Sequence, residues 1–344
     1  MLQQRPPTGT LQKRLLRWFD RNQRTLPWRG RRHSYRVWLA EIMLQQTRVP
    51  VAIPYYRRFL RAFPTVQKLA RGRLEQVLRL WAGLGYYQRA RHLHQAAKKI
   101  TREHGGQFPS SLAAALALPG VGPYVARAVL SIAYRKPLAV VDGNVPRVLA
   151  RLFRLSRADV SDRGAWQPLA DRLVARRRPG DFNQALMELG STICLPRIPR
   201  CRVCPLEAIC AARQAGLERR IPRRRPKPPR PRLTLCVLVV RRRRRLLVMR
   251  EPRGLFSGLW HFPYTREKSP HNLTRALGVN AARPVARLTH ETTMRDLILQ
   301  IYEAHTGRNG VSGLGGRIRW VRPEQMDRLA VGAATRKIAA TLAG

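Results

Sequence analysis

Acidic side chains are few in this chain: 19 Asp and Glu stand against 67 Lys and Arg in 344 residues. A carboxylate set in an apolar run is therefore a candidate for chemistry, and two stand out. In SYRVWLAEIMLQQT, Glu41 shares a helical face with Val37, Trp38 and Leu44, and apolar surroundings raise a carboxyl pKa and keep a proton available. In AVVDGNVPRVL, Asp142 follows an apolar run and precedes a helix with Pro146 near its first turn. That is the place of an N-cap, where amides and the helix dipole favour the ionised form. An acid beside a permanent anion is what glycosidic bond cleavage requires. The ordinary alternatives are a rim glutamate and a simple capping aspartate.

Four of the five cysteines, Cys194, Cys201, Cys204 and Cys210, fall in CLPRIPRCRVCPLEAIC. Such spacing points to metal rather than to disulfides. Four thiolates suit tetrahedral zinc or a 4Fe-4S cluster, and ligand softness does not separate the two. Cys236 stands alone in a strand pattern as a small buried hydrophobe. In LPGVGPYVARAVL, Gly120 and Gly122 open an apolar helix with Tyr124 in its first turn. Glycines so placed reach backbone angles other residues avoid and can present amides to a phosphate. An ordinary interhelical turn is the alternative.

The elements that must position these groups divide at ERRIPRRRPKPPRPR, residues 218–232, a proline- and arginine-rich stretch that predicts an extended, solvated linker. Upstream, TLQKRLLRWFDRN, YRRFLRAF, LEQVLRLWAGL and DRLVARR repeat apolar residues at helical spacing. Downstream, LTLCVLVVR, RLLVMRE, LWHFPY and DLILQIYEA predict strands, with a helical tail near ATRKIAATLAG. The formal charge of +48 favours a polyanionic partner, nucleic acid before an anionic membrane surface, although Arg-rich composition alone is no proof of either. No apolar run reaches the roughly 18 to 20 residues of a spanning helix and no signal peptide is evident, so a cytoplasmic, membrane-free chain is expected.

With LPWR, AEIMLQQTRV, WAGLGYYQRARHLHQAA, VVDGNVPRVLARL and FNQALMELGSTIC added to the residues above, the chain resembles the adenine DNA glycosylases, the MutY family of the helix-hairpin-helix glycosylase superfamily. The resemblance implies an α+β multidomain fold. An all-α helix-hairpin-helix glycosylase domain would occupy 1–217, with the hairpin near 112–131 and an iron-sulfur cluster loop at 194–210. A smaller α/β Nudix-like lesion-recognition domain would occupy 233–344. Cys194, Cys201, Cys204 and Cys210 would hold a 4Fe-4S cluster. The substrate would be double-stranded DNA containing 8-oxoguanine:A or G:A mispairs, bound by a monomer. Glu41 would protonate the flipped adenine, Asp142 would stabilise the cationic sugar, and Tyr124 and Asn144 would complete the catalytic set. Arg29, Gln46, Thr47, Leu84, Tyr86, Gly120, Gly122 and Gln184 match DNA- or base-binding positions.

Tyr124 stands where the related endonuclease III enzymes place a nucleophilic lysine. A phenol forms no Schiff base, so a monofunctional glycosylase is implied. GLFSGLWHFP, Gly254 to Pro263, is the strongest Nudix-like match, and no Glu-rich hydrolase box accompanies it. Thr292, Thr293 and Met294 stand where the family commonly carries a Phe-Ser-His loop facing the lesion, and Arg241 to Arg245 are expected to form a basic hairpin tip. A G:T-mismatch thymine glycosylase and a non-catalytic iron-sulfur DNA-binding protein are the rival functions.

Overall fold

A computed structural model describes residues 7–30, 32–155, 160–223, 229–252, 254–279, 281–292, 294–306 and 316–342. The helices of the first part are α1 (Thr8–Asn22), α2 (Ser34–Leu44), α3 (Val49–Ala62), α4 (Val66–Arg71), α5 (Leu74–Trp81), α6 (Tyr87–Glu103), α7 (Leu112–Leu116), α8 (Pro123–Tyr134), α9 (Val145–Leu152), α10 (Arg163–Leu173), α11 (Pro179–Thr192) and α12 (Ala211–Gln214). Two compact units emerge: Met1–Arg71 with His92–Pro226, and Gly72–Arg91 with Lys227–Gly344. The sequence division at 217 therefore misses one exchange. α5 and the first turn of α6 belong with the second unit, because Glu75 pairs with Arg250 and accepts from the indole of Trp260. No helix among the described residues is long and apolar enough to cross a membrane.

In the first unit, Leu11, Leu15 and Phe19 line one stripe of α1 at i, i+4 spacing and are buried against Val148 and Leu152 of α9 and Leu186 and Leu189 of α11. Each such side chain contributes about 1.5–3 kcal/mol when fully buried. Ile221 joins this core and its carbonyl accepts from Arg151 at 2.8 Å, so the start of the expected linker is packed rather than solvated. Residues 224–228 lie outside the described set, and the first strand already begins at Arg232. Gly120 turns the chain between α7 and α8 at φ +71, and a Cβ there would stand 2.5 Å from the Cβ of His92. Gly122 is different. Its φ of −87 is open to any residue, and it serves as the N-cap of α8.

The second unit is built on β1 (Arg232–Arg242), β2 (Arg245–Arg250), β3 (Tyr264–Thr265), β4 (Arg283–Glu291), β5 (Asp296–His305) and β6 (Arg317–Val321), in the order β4-β5-β1-β2-β6 with β3 also on β1. β1 runs parallel to β5 and antiparallel to β2. Its apolar run is continuous because both faces are covered. Leu235, Val237 and Val239 pack toward Trp260 and Ile338, the latter on α14 (Ala333–Thr341), while Leu238 and Val240 pack toward Leu273 and Leu277 on α13 (His271–Leu277).

The strand expected at LWHFPY is not continuous: Trp260 and His261 make single bridges to Val331 and Met249, and only Tyr264 and Thr265 form a ladder. α13 was not legible, since HNLTRAL is too short to display a period. Arg242 to Arg245 form the hairpin tip, but Arg241 is ion-paired to Glu303 and donates to the carbonyl of Leu342. Cys236 is buried in β1, as its pattern suggests.

Candidate active site

α2 is apolar on nearly every side and buried from Ser34 through Met43 except at Arg36, which is what an all-round apolar helix requires. Glu41 is carried into the interior with it, at 6% exposure. The phenol of Tyr124, in the first turn of α8, donates to Glu41 Oε2 at 2.7 Å. Burial drives the Glu41 carboxyl up to about 7; the charge of Asp142 adds to the rise, while the Tyr124 hydrogen bond and Arg29 oppose it. Burial, then the charges of Glu41 and Asp142, hold the Tyr124 phenol well above its ordinary value, so it remains a donor.

Asp142 is not the N-cap of α9; Asn144 is. Asp142 lies two residues earlier and still meets the helix end. Its Oδ1 accepts from the amides of Asn144 at 2.7 Å and Val145 at 2.8 Å, and its Oδ2 accepts from Asn144 Nδ2 at 2.9 Å. Those three donors fix the orientation of the Asp142 side chain toward the cavity. The Asn144 amide is fixed from its other side, where Oδ1 accepts from Arg147 at 2.9 Å. Arg147 also donates to the carbonyls of Gly190 and Cys194, at 2.7 and 2.9 Å. A Cβ on Gly190 would stand 2.6 Å from that of Asn144, so this approach of α9 and α11 needs glycine.

Glu41, Tyr124, Asp142 and Asn144 line one cavity of about 480 Å³ together with Arg29, Thr47 and Gln184. Its polar wall is a network centred on Glu188, which is 2% exposed. Glu188 accepts from Arg24 Nε at 2.5 Å and Arg29 Nη2 at 2.6 Å, and Arg29 Nε donates to Gln184 Oε1 at 3.3 Å. Burial pushes the Glu188 carboxyl up, but the hydrogen bonds and charges of Arg24 and Arg29 outweigh this and hold it below its usual range. Glu188, Arg24 and Arg147 were missed from sequence. Glu188 had a signal, since it stands four residues from Gln184 on one helix face.

The remaining predicted residues divide. Thr47 borders the cavity with its Oγ1 buried and without a hydrogen-bond partner. Gln46 is exposed, outside the wall, at a left-handed φ of +58. Leu84 and Tyr86 belong to the second unit; Leu84 is 8% exposed and Tyr86 has φ +50. For side-chain-bearing residues this conformation costs on the order of 1–2 kcal/mol. Thr292 opens the β4–β5 turn, with its hydroxyl donating to the carbonyl of Arg295 at 2.6 Å, and Met294 is 66% exposed; Thr293 lies outside the described residues.

Cys194, Cys201, Cys204 and Cys210 border a separate cavity of about 30 Å³, beside Arg151. Arg151 Nη1 donates to Cys194 Sγ at 3.3 Å. Burial pushes the Cys204 thiol up to about 12 and raises those of Cys201 and Cys210, with their neighbours' thiolate charges adding to the rise. Among the described residues no group of three or more His, Cys, Asp or Glu is gathered as a ligand set for an ion. The donor set bordering that space is four soft sulfurs, which suits tetrahedral zinc or an iron-sulfur cluster alike.

Residues 39–167 match the HhH-GPD superfamily of base excision DNA repair proteins, and residues 235–341 match the NUDIX domain. The human adenine DNA glycosylase is 36% identical over an alignment covering 94% of this chain and 72% of that protein. The chain belongs to the adenine DNA glycosylase family. The rat adenine DNA glycosylase is 41% identical, with 75% of this chain matched to 52% of that protein. A thermostable thymine-DNA glycosylase has a similar fold at TM-score 0.56 and 28% identity, covering 60% of this chain and 97% of that one. As an adenine DNA glycosylase family member, the chain keeps Glu41, Tyr124, Asp142 and Asn144 inside the superfamily match, whereas Gln184, Glu188 and the cysteine loop lie beyond its end.

Proposed function

We propose that this adenine DNA glycosylase excises adenine mispaired with 8-oxoguanine or guanine in duplex DNA, acting as a monomer and leaving an abasic site in an uncut strand. The observation that carries the proposal is the shared cavity of Glu41, shifted to about 7, and the amide-bound Asp142. The glycosidic bond is unreachable in a stacked duplex, so the adenosine leaves the helix first. Glu41 donates its proton to the adenine ring, turning a poor leaving group into a neutral one. Asp142 opposes the positive charge that develops on the sugar. Water adds at the sugar carbon and returns a proton to Glu41, closing the balance as adenine plus abasic DNA. Gln184, positioned with Arg29 by the Glu188 network, offers an acceptor to an exocyclic amine and Arg29 a donor to a ring nitrogen, a pattern thymine does not match. Tyr124 supplies no amine, and therefore no imine through which the strand could be cut.

The test is single-turnover excision on duplexes with 8-oxoguanine:A, G:A, G:T and thymine glycol:A, each read before and after alkali. Alkali-labile sites are expected in the two adenine mispairs alone, with no nicks before alkali. Thr292 spends its hydroxyl internally and Met294 has no hydrogen-bonding group, so 8-oxoguanine:A should be favoured over G:A by only about fivefold to tenfold, the value of one polar contact. Excision from G:T, or nicks without alkali, would overturn the proposal.

We further propose that Cys194, Cys201, Cys204 and Cys210 hold a 4Fe-4S cluster. Cys194, just past the end of α11, and Cys201, Cys204 and Cys210, in the loop carrying the short turns Cys201–Val203 and Glu207–Ile209, would hold it, and it would supply a tie between that loop and α11. Arg151 supports that tie from the protein side by donating to the carbonyls of Leu195 and Pro196 at 2.7 and 3.1 Å. Anaerobically purified protein is expected to be brown, with about four iron per chain. Stoichiometric zinc in colourless native protein would contradict this.

A further inference from the structure

A second large cavity, of about 400 Å³, lies wholly within the second unit. Three guanidinium groups converge on it. Arg250 at the end of β2 and Arg317 at the start of β6 are direct partners in the antiparallel register, where like charges repel across the strands. Arg250 also lies over the Trp260 ring, 5.1 Å from its centroid, with its side chain only 18% exposed. Arg91 completes the set, donating to the carbonyl of Ser257 at 3.2 Å. Burial, and then the charge of Arg250, lowers the Arg91 pKa.

The backbone is shaped around this crowding. Gly258 has φ +70, and a Cβ there would stand 1.4 Å from Arg91 Nη2. Two carboxylates border the same space. Glu75 meets Arg250 at 3.5 Å but is 47% exposed, where a pair contributes little. Glu251 is the second, and burial raises its pKa above the ordinary value. Three forked cations against this partial compensation leave a positive, half-enclosed space suited to a polydentate anion.

We propose that this cavity binds a phosphate group, with Arg91, Arg250 and Arg317 as its ligands. Its volume exceeds that of a bare phosphate, so the group arrives as a phosphoester, either of a duplex backbone or of a free nucleotide. The proposal does not depend on the glycosylase chemistry of the first unit.

The test uses full-length wild type, Arg91→Gln and Arg317→Gln, with Arg275→Gln on α13, outside the cavity, as control. Calorimetric titration with inorganic phosphate and with dAMP reads the free-ligand source. The slope of log binding constant against log salt for an undamaged duplex reads the backbone source. A nucleotide site predicts dAMP binding by wild type that weakens at least tenfold in both cavity variants and not in the control. A backbone site predicts a slope smaller by about 0.9 for each lost contact, again only in the cavity variants. Without ligand, Arg317→Gln should unfold at the wild-type temperature or above it, because cross-strand repulsion is relieved. The proposal is overturned if wild type binds neither small ligand and the slopes are unchanged, or if Arg317→Gln markedly lowers the unfolding temperature.

Discussion

Glu41→Gln is expected to slow adenine excision by about 10²- to 10⁴-fold, the usual worth of a positioned general acid, while mispair affinity stays within a few-fold. The amide can still accept from Tyr124 and fills the same volume, but it has no proton to give. Wild-type excision should fall as pH rises through about 7, where Glu41 loses its proton, and the residual rate of the variant should lack that step. Stability carries the same signature. A carboxyl whose folded pKa lies above its unfolded value of about 4.5 stabilises the fold fully below that value and loses the contribution as pH rises through about 7. At pH 8 the ionised, buried Glu41 should cost about 3 kcal/mol, so Glu41→Gln should be more resistant to urea than wild type at pH 8, with the advantage fading toward pH 4. Near-normal single-turnover excision by the variant, or an unchanged pH profile, would remove Glu41 from the acid role.

Asp142→Asn is expected to slow excision by about 10²- to 10³-fold, comparable with losing one preorganised electrostatic group. Two effects act together. The charge that opposes the cationic sugar is gone, and the new amide cannot satisfy its surroundings. If its oxygen keeps the amides of Asn144 and Val145, its NH₂ meets Asn144 Nδ2, donor against donor. Asn144 cannot flip in response, because its Oδ1 is held by Arg147. Asn144→Ala in the Asp142→Asn background separates the two effects. If the double variant recovers most of the lost rate, steric and hydrogen-bond conflict is the cause and the charge of Asp142 is not.

The two carboxylates were legible because acids are rare in this chain and each lies within an apolar run. The cysteine loop was legible from spacing. Arg24, Arg29 and Glu188 form a network from positions up to 164 residues apart, and no local pattern announces such a pairing. Glu188 alone left a trace through its helical offset from Gln184. Asp142 was placed two residues too close to the helix: side-chain caps can reach a helix from before its N-cap, and sequence does not distinguish the two. In the second unit, the continuous apolar run of β1 identified a strand covered on both faces, whereas LWHFPY mimicked a strand while being held by isolated bridges. α5 showed its helical period clearly, but its allegiance depends on Arg250 and Trp260, far along the chain.

That allegiance has a consequence for how the protein is made. Glu75 precedes Trp260 by 185 residues, which at roughly 5–20 residues per second is about 10–40 s of synthesis. Through that interval α5 has left the ribosome without the indole and guanidinium it will meet, while the helices on either side of it can begin to assemble. Nascent chains therefore pass through a stage in which α5 is tethered at both ends but lacks its final partners. This is the species on which a holding chaperone or a protease would act.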